Sequence, residues 1–250
     1  MKSPLRYPGG KHRATKYLIE YIPKNLKEIV SPFFGGGSLE LKMAQNGIRV
    51  YGYDIFLPVV KYWNDLKNNK ESLINNCLDI HSKMNKQYFK ELQNNLRNNN
   101  IKDEDIGFAF FCLNRASFSG TILSGGYSPE HPRFNLRSIN HMCNINMNLI
   151  SVEHMDFKDS IKNNEDKFLY CDPPYMLKTS NLYGKSGDLH KDFDHKSLHS
   201  LLTSREKWIL SYNDCEEIRE LYKHFKILTP TWKYGMSENK DSKELLILNI

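Results

Sequence analysis

Three consecutive glycines, Gly35-Gly36-Gly37, stand between two short apolar runs, and that placement constrains the fold more than any other feature of the chain. Glu28-Ile29-Val30 reads as a strand leading into Pro32-Phe33-Phe34. Ser38 suits the N-cap of a helix through Met43 and Ala44, which Gly47 can end. Ile48-Arg49-Val50-Tyr51-Gly52-Tyr53 then reads as a second strand, with Asp54 at its tip. Strand, glycine turn, helix and strand make a βαβ unit, the building block of a parallel sheet covered by helices. Glycines at a helix N-terminus let backbone approach a ligand closely. The spacing is not Gly-x-Gly-x-x-Gly, and no phosphate-binding Gly-x-x-x-x-Gly-Lys-Ser/Thr occurs, so neither a dinucleotide fingerprint nor a P-loop is indicated. An acidic side chain at the place of Asp54 typically grips ribose hydroxyls. The alternative is a plain turn, with Asp54 capping the helix that follows.

Apolar residues change spacing from about Leu57 to Ile150. They recur at helical intervals (Leu92 and Leu96; Phe108, Phe111 and Cys112), with asparagine runs between segments. Gly120 to Asn135 is a Gly/Ser/Pro-rich loop, and loops of that length are usually functional or disordered. Strand–helix alternation returns after Ser151. Strands are expected at Lys167–Cys171, Trp208–Ser211, Lys226–Leu228 and Glu244–Leu248, with helices around Leu198–Leu202 and from Asp214 to Tyr222. The expected architecture is one discontinuous α/β domain, residues 1–56 and 151–250, interrupted by a mainly helical insertion at 57–150.

Asp172-Pro173-Pro174-Tyr175, reached by the apolar run Lys167 to Cys171, carries the chemistry. The prolines fix φ and supply no N–H, so the loop is stiff and its carbonyls can face a ligand. The Asp172 carboxylate and the Pro173 carbonyl suit the two hydrogens of a planar exocyclic amine, and Tyr175 offers a flat face to a base. Such an amine is a poor nucleophile, because its lone pair is delocalised into the ring. Two acceptors on its hydrogens favour a pyramidal nitrogen aimed at a methyl donor. The same residues also occur in ordinary strand-end turns. Arg6-Tyr7-Pro8-Gly9-Gly10-Lys11 is a second glycine turn with a cation behind it, or simply the start of a helix containing Tyr17, Leu18 and Ile22.

The net charge of +6 is compatible with a polyanionic partner. Five cysteines without a Cys-x-x-Cys pair point to a reduced intracellular protein lacking structural zinc. The apolar stretches are too short to span a bilayer and the N-terminus shows no signal-peptide pattern, so a cytoplasmic, DNA-associated location is expected. The nine histidines are scattered and no His-Glu-x-x-His occurs, so no metal is expected. Lys233, Lys240 and Lys243 read as a solvated basic face.

Three segments in this order, Tyr7-Pro8-Gly9-Gly10-Lys11, Pro32-Phe33-Phe34-Gly35-Gly36-Gly37-Ser38 and Asp172-Pro173-Pro174-Tyr175, resemble the Dam-type DNA adenine methyltransferases. The likeness extends to Asn114-Arg115-x-x-Phe118-Ser119-Gly120 and to Asp194-His195-x-x-Leu198. It implies a class I methyltransferase (Rossmann-like) sheet with an inserted target-recognition domain. It also implies S-adenosylmethionine as cofactor and the N6 amino group of a flipped adenine in double-stranded DNA as acceptor. Carried over by position, Tyr7 and Lys11 contact the cofactor and Pro32, Phe33, Phe34, Gly35, Gly36, Gly37 and Ser38 wrap its methionine part. Asp54 holds the ribose, Asp156 and Phe157 receive the cofactor adenine, and Asp172 touches both cofactor and target amine. Asp172, Pro173, Pro174 and Tyr175 form the catalytic loop.

Arg115, Ser117, Phe118, Ser119 and Thr121 mix a cation, hydroxyls and an aromatic, suiting phosphate clamping and wedging into a base stack. Arg133 and Asn135, with Phe134 between them, are candidates for base reading, since Arg bonds bidentately to guanine. Ile122 to Pro132 departs from the pattern of enzymes that read GATC, so no recognition sequence is assigned. A cognate restriction endonuclease is a candidate partner. Competing readings are an N4-cytosine or RNA adenine methyltransferase and a catalytically idle DNA-binding module. The N4-cytosine enzymes more often carry Ser in place of Asp172, and no Pro-Cys nucleophile for carbon methylation occurs.

Overall fold

A computed structural model describes residues 2–7, 9–128, 133–176, 193–230 and 244–250. Pro8, the loop residues 129–132 and the lysines 233, 240 and 243 fall outside them. Seven strands form a single sheet in the order β3-β2-β1-β4-β5-β7-β6. They are β1 (Glu28–Ser31), β2 (Arg49–Asp54), β3 (Ile150–His154), β4 (Leu169–Cys171), β5 (Trp208–Asn213), β6 (Lys226–Leu228) and β7 (Glu244–Asn249). Strands β1 to β5 pair in parallel, and β7 runs antiparallel to both β5 and β6. This is the expected class I methyltransferase sheet.

Side chains alternate between two apolar layers with the strand period of two. Ile29, Tyr170, Ile209, Leu246 and Leu248 join one core, and Val30, Leu169, Leu210, Leu245 and Ile247 join the other. Both faces are therefore covered, which explains why β4 is buried at every position. The second layer is closed by α8 (Phe157–Lys162), α9 (His195–Thr203) and α10 (Glu216–Leu221), through Ile161, Leu198 and Ile218.

On the first face lie α1 (Thr15–Leu18) and α2 (Ser38–Gln45), followed by the long connection from β2 to β3. That connection carries α3 (Leu57–Asn68), α4 (Lys70–His81), α5 (Lys86–Arg97), α6 (Ile106–Ala116) and α7 (Leu136–Asn140). The Tyr62 ring stacks on Phe111 with centroids 5.5 Å apart, binding α3 to α6. Tyr62, Trp63 and Phe111 share one apolar cluster with Val50 and Ile150 of the sheet, so these helices and the sheet face are packed as a continuous core.

Element ends differ from the sequence reading at a few places. The strand expected from Lys167 begins at Leu169, and the helix expected from Asp214 is Glu216–Leu221. Ser38 is not an N-cap: Gly37, at φ +61°, holds that position, and Ser38 is the first helical residue. A left-handed conformation there suits glycine, and its cap needs no side chain.

Candidate active site

Strand order reverses between β1 and β4, since the chain runs from β1 outwards to β3 and then returns to place β4 on the other side of β1. Val30 pairs with Leu169 across that boundary. The loops after β1 and β4 therefore open side by side at the carboxyl ends of the strands, where open α/β sheets bind ligands. These loops are Pro32–Gly37 and Asp172–Tyr175.

The first loop is built from missing side chains. Gly35 and Gly37 have φ of +44° and +61°. Tyr7 covers the turn so closely that a Cβ at Gly36 would lie 2.7 Å from its own Cβ. Below, Phe34 folds over β2, where a Cβ at Gly52 would stand 2.1 Å from its ring. The Trp63 indole donates to the Gly35 carbonyl at 2.9 Å, and the Gly37 amide donates to Phe34 at 2.9 Å. Asp54 is buried behind the turn and accepts from the Gly35 amide and the Phe56 amide, each at 2.8 Å. Burial pushes its carboxyl up to about 6, against the pull of those two amides. Each oxygen uses one acceptor position on the backbone and retains another. Ile55 next to it is an exposed apolar side chain.

Phe33, Phe157 and Phe193 gather beside this turn, with centroid separations of 5.5, 5.6 and 5.1 Å. Asp156 caps α8 by accepting from the Lys158 amide at 2.8 Å. The chain thus brings Phe33, Asp54, Asp156 and Phe157 to one edge of the sheet, although the first loop and α8 are far apart in sequence.

At the second loop the Lys11 ammonium lies 2.8 Å from Asp172 Oδ1 and 3.1 Å from Glu244 Oε1. It also donates to the Gly9 carbonyl at 3.2 Å and to the Tyr175 hydroxyl. Tyr175 in turn donates to Glu244. Burial alone would lower the Lys11 ammonium, but Asp172 and Glu244 hold it above its ordinary range. Burial pushes Asp172 up to about 6, Lys11 pulls it down and Glu244 opposes that pull. Lys11 and Glu244 are 4% and 1% exposed, whereas Asp172 keeps 22% and is the most accessible of the three. The loop is clamped onto β5 by Asn213, which accepts from the Met176 amide at 2.9 Å and donates to the Met176 carbonyl at 3.0 Å. The Tyr175 ring stacks on Tyr212 at 6.0 Å.

Glu244, Asn213 and Tyr212 are absent from the residues singled out in the sequence. The signal for Glu244 is faint: an acid opening the otherwise apolar run Leu245 to Ile247. Glu40 of α2 was also passed over. It is buried under the site, accepts from the Ser31 hydroxyl at 2.8 Å, and is pushed up to about 7 by burial.

The candidate DNA residues divide. Phe118 is 65% exposed and stands on a turn where Ser119 has φ +54°. Arg133 is exposed, and its carbonyl accepts from Arg115 Nε at 3.0 Å. Arg115 is half-buried and also reaches the Pro4 carbonyl at 3.4 Å. Burial, with Arg6 and Arg133 adding to it, lowers its guanidinium to about 10. Two expectations need correcting. Ser117 is fully buried and its hydroxyl accepts from the Ile122 amide at 3.1 Å, so it shapes the turn instead of meeting phosphate. Asn135 is committed to a capping box with Ser138 at the start of α7, accepting from its amide at 2.9 Å.

The N-terminal segment joins these two regions. The Asn114 side chain accepts from the Arg6 amide at 2.9 Å and donates to the Arg6 carbonyl at 2.7 Å. Gly120 approaches the same carbonyl so closely that a Cβ there would stand 2.2 Å from it. Residues 6, 7 and 11 thus touch, in turn, the Phe118 turn, the glycine turn and Asp172.

Residues 7–236 match the D12 class N6 adenine-specific DNA methyltransferases. The chain belongs to that family. A DNA adenine methylase of Haemophilus influenzae is 24% identical, covering 96% of this chain and 89% of its own length. The type II methyltransferase M.CviBI of Paramecium bursaria Chlorella virus NC1A is 22% identical over 89% of this chain and 86% of its own. The type II methyltransferase M1.LlaDCHI of Lactococcus lactis subsp. cremoris is also 22% identical, over 89% and 84%. The matched span includes both loops at the strand-order reversal. This methyltransferase is therefore an enzyme acting on adenine in DNA, and the idle-module and N4-cytosine readings fall away.

Proposed function

We propose that this methyltransferase holds S-adenosylmethionine between the glycine turn and the Phe33–Phe157 edge, and methylates an adenine turned out of double-stranded DNA onto the Asp172 loop. The observation that carries the reading is the meeting of the Pro32–Gly37 and Asp172–Tyr175 loops at the point of strand-order reversal. The residues suit such a cofactor. The turn presents backbone without Cβ atoms, Asp54 retains acceptor capacity for ribose hydroxyls, and Phe33, Ile55 and Phe157 offer apolar surface for its base.

S-adenosylmethionine supplies a methyl group already activated on a sulfonium, so no strong base is called for. The protein's share is positioning and exclusion of water. Asp172 and the Pro173 carbonyl accept the amine hydrogens, and Tyr175 stacks on the base. Asp172, titrating near 6, is a carboxylate at neutral pH and can take up the amine proton as the new C–N bond forms. Turning a base out of the duplex costs roughly a few kcal/mol. In this reading Phe118, an exposed ring, fills the vacated stack and Arg133 reads a neighbouring base, with residues 57–150 serving as a DNA-recognition insertion. Two of the relatives are named type II methyltransferases, which keeps a cognate restriction endonuclease as candidate partner.

The test is incubation of unmethylated genomic DNA with the protein and S-adenosylmethionine, followed by sequencing for modified bases. N6-methyladenine within one short sequence is expected, and none with Asp172→Ala. Methylation of cytosine, or none by folded wild type, would reject the proposal.

A further inference from the structure

Among the described residues, every contact that Asp172 makes to another side chain falls on one oxygen: Oδ1 receives Lys11 at 2.8 Å and stands 3.5 Å from the Tyr175 hydroxyl oxygen. Both of those partners are themselves held by Glu244. Its Oε1 lies 3.1 Å from Lys11 Nζ and accepts from the Tyr175 hydroxyl. Glu244 is 1% exposed, opens β7, and sits too deep to meet a substrate. An ammonium has three hydrogens to give and no acceptor, and Lys11 shares them among Asp172, Glu244, Tyr175 and Gly9. We infer that Glu244 is a positioning residue of the transfer site: by fixing Lys11, and the Tyr175 hydroxyl that accepts from Lys11, it pins Asp172 through Oδ1 and leaves Oδ2 to accept from the target amine.

The charge arrangement supports the geometry. Asp172 is faced by Lys11 from the N-terminal segment, Glu244 from β7, Tyr175 from its own loop, Tyr170 and Cys171 from β4 and Glu40 from α2. Lys11 is the cation in that set, and it is divided between two carboxylates. With Glu244 neutral, Lys11 would pair with Asp172 alone and hold its proton affinity down. Asp172 would then be drawn tighter onto Lys11, and the Tyr175 hydroxyl would lose its charged acceptor. The inference rests on the role given to Asp172 above.

Glu244→Gln keeps the shape and removes the charge. The direct readout is the titration of Asp172 in free enzyme, followed by carbon-13 NMR of carboxyl-labelled aspartate, with no cofactor or DNA present. The Asp172 midpoint should fall by about one unit, the usual scale for losing a nearby like charge. kcat at neutral pH should fall about tenfold to a hundredfold, the usual cost of a misplaced reacting group. Affinity for S-adenosylmethionine should stay within about twofold, and the acid limb of kcat should move with the NMR midpoint. Glu244→Asp, which keeps the charge, should hold the midpoint near that of wild type and recover part of kcat. An unmoved midpoint or an unchanged kcat in Glu244→Gln overturns the assignment. So does a variant that melts without cooperativity and is not rescued by Asp, since Glu244 would then be a folding residue. A midpoint that shifts as expected in a protein that methylates no adenine would instead reject the proposed function and leave this arrangement standing.

Discussion

The Lys11 ammonium and the Asp172 carboxylate meet at 2.8 Å, linking the N-terminal glycine turn to the loop after β4. Lys11 is 4% exposed and Asp172 22%, so the pair has one buried and one presented end. Removing one partner of such a pair leaves an uncompensated charge. Lys11→Ala should therefore raise the Asp172 titration above about 6 and move the acid limb of kcat to higher pH, because protonation turns one carboxylate oxygen from acceptor to donor and leaves the acid unable to take up the amine proton. A kinetic pH profile that stays in place would show that Lys11 does not govern Asp172.

Asp54 braces the glycine turn through the Gly35 and Phe56 amides. Asp54→Ala should lower the melting temperature as well as cofactor affinity, since each orphaned buried donor costs about 1–3 kcal/mol. In the wild type the acceptor is the carboxylate, pushed up to about 6 by burial. Binding of S-adenosylmethionine should accordingly weaken as pH drops below about 6. Calorimetry across pH 5 to 8 checks both statements.

Glu40 gives a signed stability prediction. Its folded value is raised to about 7 from 4.5, so the folded state holds the proton more tightly than the unfolded chain. Stability from this group is thus greatest at low pH and is lost as pH rises between those two values, by up to about 1.4 kcal/mol per pH unit. Glu40→Gln can still accept from Ser31 and should flatten that slope, melting above wild type near pH 8. Parallel melting curves for the two proteins across pH would contradict it.

Tyr175 uses its ring against Tyr212 and its hydroxyl on Glu244. Tyr175→Phe should lose the hydroxyl bond but keep the face, retaining part of the turnover. Tyr175→Ala should lose capture of the flipped base as well. Equal loss in both variants, measured by single-turnover kinetics and 2-aminopurine fluorescence, would assign the work to the hydroxyl alone.

Phe118, Arg133 and Arg115 should separate. Phe118→Ala should reduce base capture without lowering the melting temperature, because the ring is exposed. Arg133→Ala should cost roughly 1–3 kcal/mol on the true site only and relax specificity at one position. Arg115→Ala should also destabilise the fold, since its guanidinium serves the Arg133 and Pro4 carbonyls. A randomised-site methylation library with melting curves distinguishes the three.

Much of the sheet was legible because its signals are local. Gly35 to Gly37 demanded a turn, Asp172 to Tyr175 ended a strand, and the short, mostly apolar runs of β5 and β7 read as strands. The residues misjudged or missed depend on what packs over them. Ser117 and Asn135 carry groups that suit DNA, yet a buried amide and a helix start claim those groups first. Glu244 becomes informative only once β7 is laid beside β5, bringing it to Lys11 and Tyr175. Pairings between residues so far apart leave no periodic trace in sequence.

The ion pair between Lys11 and Glu244 also has a consequence in time. The ribosome releases Lys11 before β1 and Glu244 only after β1 to β6 have been made. A nascent or prematurely terminated chain can already carry the Phe118 turn and both loops, yet lacks the acid that sets Lys11 and Tyr175 in place. Methylation competence should therefore switch on with the arrival of the seventh strand, leaving shorter synthesis products silent on DNA.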